Sequence, residues 1–318
     1  MKNKRLISII ICTHNRALVL TDALQSLEKV KIPEGFAVEL ILVDNASSDG
    51  TSLLIEAFRK KINKFQLHHL REENLGKSFA LNRGICAATG VVIAFVDDDH
   101  LIDDDYLLVI CEAVRKHCDY SIFCGRVFPN WDGSEPQWVH DDSKYPIRPY
   151  PIPTFDLGES PLEIKDDKTF LPGSGNLIVR REVFERVGLF SEEIGPKGHN
   201  LKGGEDIEFV RRALSKQERI LYIPHIRQYH QVLSENLRLS YLVKKAYHRS
   251  TAAYQFSKLA QSGNGIHRVP YYLLRQAMAR LLKIALSFNR DARRYNLVRF
   301  AATVGEINGR IKASTMLS

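Results

Sequence analysis

The sequence predicts an α/β fold: a mostly parallel sheet flanked by helices, followed by a C-terminal helical extension. Three observations carry this reading. Apolar runs at residues 6–12, 38–43 and 91–96 are short and lack polar alternation, as strands buried on both faces do. Helical patterns at 18–30, 52–62 and 77–87 separate them, and such β-α-β alternation implies parallel strands joined by right-handed crossovers. A weaker strand at 66–70 fits between the second and third helices. Finally, a polar cluster follows each run, at the carboxyl end of the strand, where ligands of such sheets sit.

The first cluster is Cys12-Thr13-His14-Asn15-Arg16, the second runs from Asp44 through Asn45, Ser47, Ser48 and Asp49 to Thr51, and the third is Asp97-Asp98-Asp99. Along one sheet edge their hydroxyl, amide and carboxylate groups could hold a nucleoside. Each also has a purely structural account: Thr13 and Asn15 can cap the next helix, and Ser47-Ser48-Asp49-Gly50 makes an ordinary turn. The Asp triplet is the sharpest signal. Adjacent carboxylates repel, which raises their pKa values unless a cation or donor compensates, and hard oxygen ligands suit Mg²⁺ or Mn²⁺. Asp97 and Asp99 point to one side if the backbone stays extended. The alternative is that the triplet caps the following helix, together with Asp103, Asp104 and Asp105.

Glu73-Asn74-Leu75-Gly76-Lys77 opens the third helix, a start suited to phosphate. Neither G-x-x-x-x-G-K-[ST] nor a G-x-G-x-x-G after a strand is present, which argues against P-loop ATPases and dinucleotide dehydrogenases. Residues 128–170, rich in Pro, Asp and aromatics, read as irregular. Trp131, Trp138, Tyr145 and Tyr150 could line an acceptor groove or pin the segment down. Gly173-Ser174-Gly175-Asn176 leads into a short strand at 177–179 and a helix at 181–187. Glu205 and Asp206 open a helix reaching about Leu214, where acids favour the dipole. A last strand, 220–224, precedes Tyr229 and His230.

Composition sets the class. The 318 residues are 44% hydrophobic, ample for a core. Five cysteines with no C-x-x-C argue against a disulfide framework or a zinc site and point to a reducing, cytoplasmic setting. The basic start and 6–12 imitate a signal peptide, but the apolar part is short and meets Thr13-His14-Asn15-Arg16 without a cleavage site, so a first strand is expected. No run approaches the length that spans a bilayer. The net charge of +8 is uneven: residues 238–318 hold fifteen Lys and Arg against two acids, or +13, which leaves −5 for residues 1–237. In that tail Leu239, Leu242, Val243 and Ala246, then Leu274, Met278, Leu281 and Ala285, recur at helical spacing around a break at Gly263-Asn264-Gly265. Arg275, Arg280, Lys283, Arg290, Arg293 and Arg294 accompany the second stripe. A basic amphipathic helix can lie on an anionic membrane or pack on its own chain or a second subunit. Nucleic acid is not expected, for no binding motif accompanies the charge.

In order and spacing, SIIICTHNR, ILVDNASSDGT, ENLGKSFALNRG and AFVDDD resemble the family 2 glycosyltransferases over about residues 5–235. Two positions depart from that pattern: Leu81 where an arginine is common, and His14 where an aromatic is. The resemblance implies a GT-A fold, with residues 1–237 as catalytic domain and 238–318 as basic helical extension. It implies that Thr13, His14 and Asp44 contact the base and ribose of a nucleotide-sugar, with Asn15, Asn74, Lys77, Asp97 and Asp98 also at the nucleotide-sugar. Asp99 is implied as ligand of Mg²⁺ or Mn²⁺, with His230 completing the shell and His225 as second choice. The catalytic base falls in the acidic pair, Asp206 ahead of Glu205, and would take a proton from an acceptor hydroxyl. The expected function is metal-dependent, inverting transfer from a UDP-sugar or another nucleoside diphosphate-sugar to a glycan or lipid-linked acceptor, in cell-envelope or extracellular polysaccharide synthesis. Peripheral contact with the inner face of the membrane and a homo-oligomer are further options. The rival readings are a nucleotidyltransferase, which would normally carry a Gly-rich basic loop after its first strand, and a non-catalytic nucleotide-sugar binding module.

Overall fold

A computed structural model of the chain describes residues 5–141, 144–168, 170–198, 200–259 and 269–315. They form two compact units. The first comprises the residues up to Asn130, Pro153–Gly198 and Glu205–Gln231; the second takes Trp131–Ile152, residues 200–204 and the chain from Val232 onward.

In chain order the first unit contains β1 (Arg5–Thr13), α1 (Ala17–Lys29), β2 (Phe36–Asn45), α2 (Thr51–Lys61), β3 (Gln66–Glu72), α3 (Lys77–Ala87), β4 (Val92–Phe95), β5 (His100–Ile102), α4 (Tyr106–Lys116), β6 (Ile122–Asn130), β7 (Leu162–Ile164), β8 (Leu177–Arg180), α5 (Val183–Val187), α6 (Glu205–Ser215) and β9 (Ile220–Gln231). The strands join in one sheet ordered β3-β2-β1-β4-β8-β6-β9-β5, with β7 paired to β9. β3, β2, β1 and β4 are parallel, as their sequence rhythm predicts. Beyond β4 the sheet is mixed: β8 runs antiparallel to both β4 and β6, while β6 and β9 are parallel.

The unbroken apolar runs have a simple cause. Ile9 and Ile11 of β1 enter a core layer with Leu40, Leu42, Val92 and Ala94 beneath α1, α2 and α4. Ile10 enters the opposite layer with Ile41, Val43, Ile93 and Phe95, beside residues of α3, α5 and α6. Alternate side chains of each strand are thus apolar because both faces are covered.

Three strands lie outside the sequence expectation, β5, β6 and β7, and β9 is longer than the apolar run at 220–224. The register between β6 and β9 shifts between Cys124 and Arg126. Pro224 falls in that irregularity, where a missing N–H removes no ladder bond. At the sheet end opposite the Asp triplet, buried Glu39 accepts hydrogen bonds from the Ser8 hydroxyl, Thr89 N (2.7 Å), Thr89 Oγ1 (3.0 Å) and Gly90 N (3.1 Å). Burial would raise its pKa, but these donors outweigh burial and hold it below 4.5.

The second unit contains α7 (Leu239–Leu259), α8 (Tyr271–Leu286) and α9 (Arg290–Thr315). Leu242, Ala246, Val298 and Ala301 form its core with Ile147, and Trp138 packs against it. Arg294 stacks over Trp138 at 4.3 Å, and Tyr145 meets Tyr295 at 6.0 Å between ring centroids. For Trp138 and Tyr145 the pinning role is therefore what the contacts favour. The expected break at Gly263-Asn264-Gly265 lies outside the described residues. Among the described residues no helix is long and apolar enough to cross a membrane.

Candidate active site

β2, β1 and β4 are adjacent and parallel, so their carboxyl ends open onto one edge. The Asp triplet sits there, but not as an extended segment. His100 N donates to Asp97 O at 3.0 Å, turning the chain after β4 and voiding the condition under which Asp97 and Asp99 share a side. Capping is ruled out as well. β5 intervenes before α4, Asp103 and Asp104 precede that helix, and Asp105 at its N-cap makes no side-chain cap bond.

Each carboxylate of the triplet meets a cationic side chain, Lys77 for Asp97 and Arg16 for both Asp98 and Asp99. Lys77 Nζ, at the first turn of α3, donates to Asp97 Oδ1 at 2.7 Å and lies 4.0 Å from Glu205. Burial alone would lower the lysine pKa, yet Asp97, Glu205 and Asp206 hold it well above its ordinary value. Burial likewise opposes ionisation of Asp97, and Lys77 overcomes it, so Asp97 stays below the usual range. Arg16 Nη1 donates to Asp98 Oδ1 at 2.8 Å and to Asp99 Oδ2 at 2.9 Å. One guanidinium between two buried acids satisfies them unequally. Burial dominates at Asp98 and raises its pKa, whereas at Asp99 burial is outweighed by His230, Arg16 and His100.

The carboxylate of Asp99, His100 and His230 bring one ligand atom each to within 4.8 Å of one another. His230 Nε2 lies 3.6 Å from Asp99 Oδ2, and His100 Nε2 3.8 Å from Asp99 Oδ1. Hydrogen bonds fix both tautomers. Gln228 Nε2 donates to Phe95 O (3.1 Å) and Asn176 Oδ1 (3.1 Å), which turns its Oε1 to His100 Nδ1 at 2.6 Å. That ring nitrogen must carry the proton. His230 Nδ1 likewise donates to Gln231 O at 2.8 Å. Burial lowers the His230 pKa in spite of Asp99, favouring the neutral ring. Both rings thus turn Nε2 toward the Asp99 carboxylate, a set of nitrogen and oxygen atoms that fits a divalent cation. His225, by contrast, is exposed and outside this cluster.

The residues expected at the nucleotide gather around Asn45. His14 Nδ1 lies 2.6 Å from Asn45 O, and Asn45 Nδ2 donates to Asn74 O at 2.7 Å. Asn15, in left-handed backbone at φ 51°, accepts from Ser48 N at 2.7 Å and ties the first loop to the second. Asp44 is fully buried and accepts from Ser47 N (2.9 Å), the Ser52 hydroxyl and Arg71 Nη1 (3.2 Å). Burial would raise its pKa, and these donors lower it instead. Thr13 is buried.

Across from the triplet, Asp206 Oδ2 accepts from Ser174 N at 3.2 Å, and its Oδ1 from Ile207 N at 2.8 Å. Asp206 is half-buried, while Glu205 is only 3% exposed and packs against Gly195. The glycines at 173 and 175 are there for close approach. A Cβ at Gly175 would stand 2.6 Å from Asp97 Oδ2 and 2.8 Å from His100 Cε1, and one at Gly173 3.0 Å from Asp206 Oδ2.

Lys77, Asp97, Asp98, Asp99, His230, Glu205 and Asp206 are thus brought into one connected set, and Thr13, His14, Asn15, Asp44 and Asn74 into the loops beside it. Sequence reading passed over three members. Arg16 stood inside a quoted motif without a role, and His100 directly follows the triplet. Gln228 is two residues before His230, hence on the same face of a strand, which is the signal that could have found it.

Residues 8–188 match the sequence model of the family described as Glycosyl transferase family 2. Among curated proteins, the chain is 23% identical over 242 residues to a glucosyl-dolichyl phosphate glucuronosyltransferase of Haloferax volcanii, spanning 76% of this chain and 74% of that one. It is 24% identical over 249 residues to the succinoglycan biosynthesis protein ExoM of Rhizobium meliloti, spanning 78% and 74%. Among solved structures, the mannosyltransferase PcManGT of Pyrobaculum calidifontis, in complex with GDP-Man and Mn²⁺, superposes with a TM-score of 0.57 at 16% identity over 98% of this chain and 88% of that one. TarS 1–349 of S. aureus in complex with UDP gives 0.54 at 18%, over 98% and 91%. At these identities the structural likeness speaks to the fold.

Proposed function

The chain belongs to glycosyltransferase family 2 and has the GT-A fold; from that premise we propose that it transfers a sugar from a nucleoside diphosphate donor to a hydroxyl of a glycan or lipid-linked acceptor, with inversion and with a divalent cation bound. Residues 1–237 carry the reaction in this reading, and 238–318 are an extension.

The carrying observation is the pairing of two walls: Asp97 and Asp99 with their cations on one side, where Gly175 lies against Asp97, and Asp206 against Gly173 on the other. Thr13, His14, Asn15, Asp44 and Asn74 would hold the nucleoside, with UDP the leading candidate. Asp99, His230 and His100 would hold the cation. Two imidazoles favour a transition ion such as Mn²⁺ over Mg²⁺, which prefers oxygen. When bound, that ion supplies charge neutralisation at the departing diphosphate.

Asp206 would accept the proton of the acceptor hydroxyl as its oxygen bonds to the anomeric carbon. The bond from that carbon to the diphosphate oxygen breaks, and its electron pair leaves with the diphosphate. Backbone N–H groups of Ser174 and Ile207 hold the carboxylate in place while leaving lone pairs for the proton. Glu205, buried and 4.0 Å from Lys77, suits positioning that lysine rather than meeting an acceptor. The acceptor class draws support from two relatives, one named for a dolichyl phosphate substrate and one for polysaccharide biosynthesis.

The test is thermal stability against UDP, GDP, dTDP and ADP, each with and without Mn²⁺. At a free ligand concentration of 100 times Kd, linkage gives about 2.7 kcal/mol of stabilisation. A shift with one diphosphate that requires the metal supports the reading and names the base; no shift with any of them refutes it.

A further inference from the structure

The helix α8 is amphipathic the wrong way round for a helix packed only on its own chain. Leu273, on one side, is buried at 1% exposure, and Ala277 and Ile284 on that side are half-buried. Arg280 on the same side donates to Asn296 of α9 at 2.9 Å. On the opposite side stand Tyr271, Leu274, Met278, Leu281, Leu282 and Leu286, at spacings of three and four that place them on one face. Their exposures are 79%, 47%, 66%, 43%, 60% and 67%, and Phe288, just past the helix end, is fully exposed. An apolar face of that extent turned outward marks a surface that something covers.

Charge indicates what covers it. From Asn236 to Arg290 the sequence has ten Lys and Arg and no Asp or Glu. Arg275 lies within the apolar face and Lys283 beside it, and Arg290 and Arg293 follow Phe288; all four are exposed. A second protein copy would have to bring this basic belt against itself, whereas a surface carrying anionic headgroups would be attracted to it. Sixteen helical residues measure about 24 Å, short of the roughly 30 Å hydrocarbon core, so the helix suits lying in the interface rather than spanning it.

We propose that the outward face of α8, continued by Phe288, docks on an anionic membrane surface: Leu274, Met278, Leu282 and Leu286 enter the boundary between headgroups and acyl chains, and Arg275, Lys283, Arg290 and Arg293 lie at headgroup level. This surface shares no residue with the proposed donor site, so the two readings are tested separately.

The test is flotation of the full chain with vesicles of phosphatidylglycerol and phosphatidylcholine, against vesicles of phosphatidylcholine alone. The wild type is expected to float with the anionic vesicles only and to be released by 0.5 M NaCl, because the charge contribution is screened. The variant L274E/M278E/L282E is expected to lose on the order of tenfold or more in partitioning. R275Q and K283Q should each lose about fivefold at low salt. Since every altered side chain is solvent-exposed, the unfolding temperature should stay at the wild-type value, and the diphosphate-induced thermal shift provides a second check on folding. Two results overturn the proposal. One is a wild type that stays at the bottom of the gradient with anionic vesicles at low salt. The other is a dimer in light scattering that L274E/M278E/L282E dissolves while flotation is unchanged, which would give the face to a second copy.

Discussion

Replacing Gly175 by alanine tests whether the two walls of the site are built for contact. The position needs no special backbone, so alanine brings only a methyl group. That methyl would stand 2.6 Å from Asp97 Oδ2 and 2.8 Å from His100 Cε1. Ordinary carbon-to-oxygen contact is roughly 3.3 Å or more, so the carboxylate has to retreat by about 0.7 Å. Such a movement carries the 2.7 Å bond between Lys77 Nζ and Asp97 out of good geometry. A hydrogen bond to a charged group contributes about 1.5–3 kcal/mol, and overpacking costs about 1–3 kcal/mol. These describe one displacement and are not added, so the expected loss of stability is about 2 kcal/mol, read from urea unfolding midpoints. Displacement of a positioned group by about 1 Å can cost on the order of a hundredfold in rate, and turnover of Gly175→Ala should fall by that order. Gly50→Ala, where a methyl group meets nothing within 4 Å, is the control and should change both by little. Wild-type stability together with wild-type turnover in Gly175→Ala would refute the close-contact account of the glycines.

Asp206→Asn should keep the diphosphate-induced thermal shift while turnover drops by about 10²–10⁴-fold, because only proton acceptance is removed; near-wild-type turnover transfers the role to Glu205 or elsewhere. In the proposed reading Arg16 and a divalent cation would compete for Asp99, so Arg16→Gln should lower stability without metal and enlarge the stabilisation by Mn²⁺; an unchanged or smaller Mn²⁺ effect would separate Arg16 from the proposed cation site. Glu39, whose folded pKa lies below 4.5, contributes stability that is fully present above that value and is lost as pH falls through the folded pKa. Glu39→Gln should flatten the acid limb of the stability curve below about pH 4.5, and an unaltered limb would show that the buried donors do not act on the carboxylate.

Much of the fold is legible because periodicity records burial directly. The β1, β2 and β4 runs, covered on both faces, could not be read as anything polar, and α3 matches its expected bounds of 77–87. β5, β6 and β7 were not legible in the same way. β5 and β7 are three residues each, too short for a pattern, and their place depends on β9 as partner. The site divides similarly. Asp97, Asp98, Asp99, Glu205 and Asp206 announce themselves as clustered charge, and the order of the motifs identifies the family.

What the chain alone determined, then, was the layered α/β frame and the edge at which its polar residues collect, since both follow from local pattern and strand direction. The tertiary structure decided which atoms meet. Gln228 orients His100 across the β9 and β5 pairing, Arg16 reaches from the loop after β1 to two acids 82 and 83 residues away, and Gly175 approaches Asp97 from the turn before β8. It also decided which stripe of α8 faces outward, because an apolar helical repeat is the same in sequence whether a core or a solvent boundary lies against it. Contacts between residues distant in the chain are set by register and packing, and neither leaves a local signature.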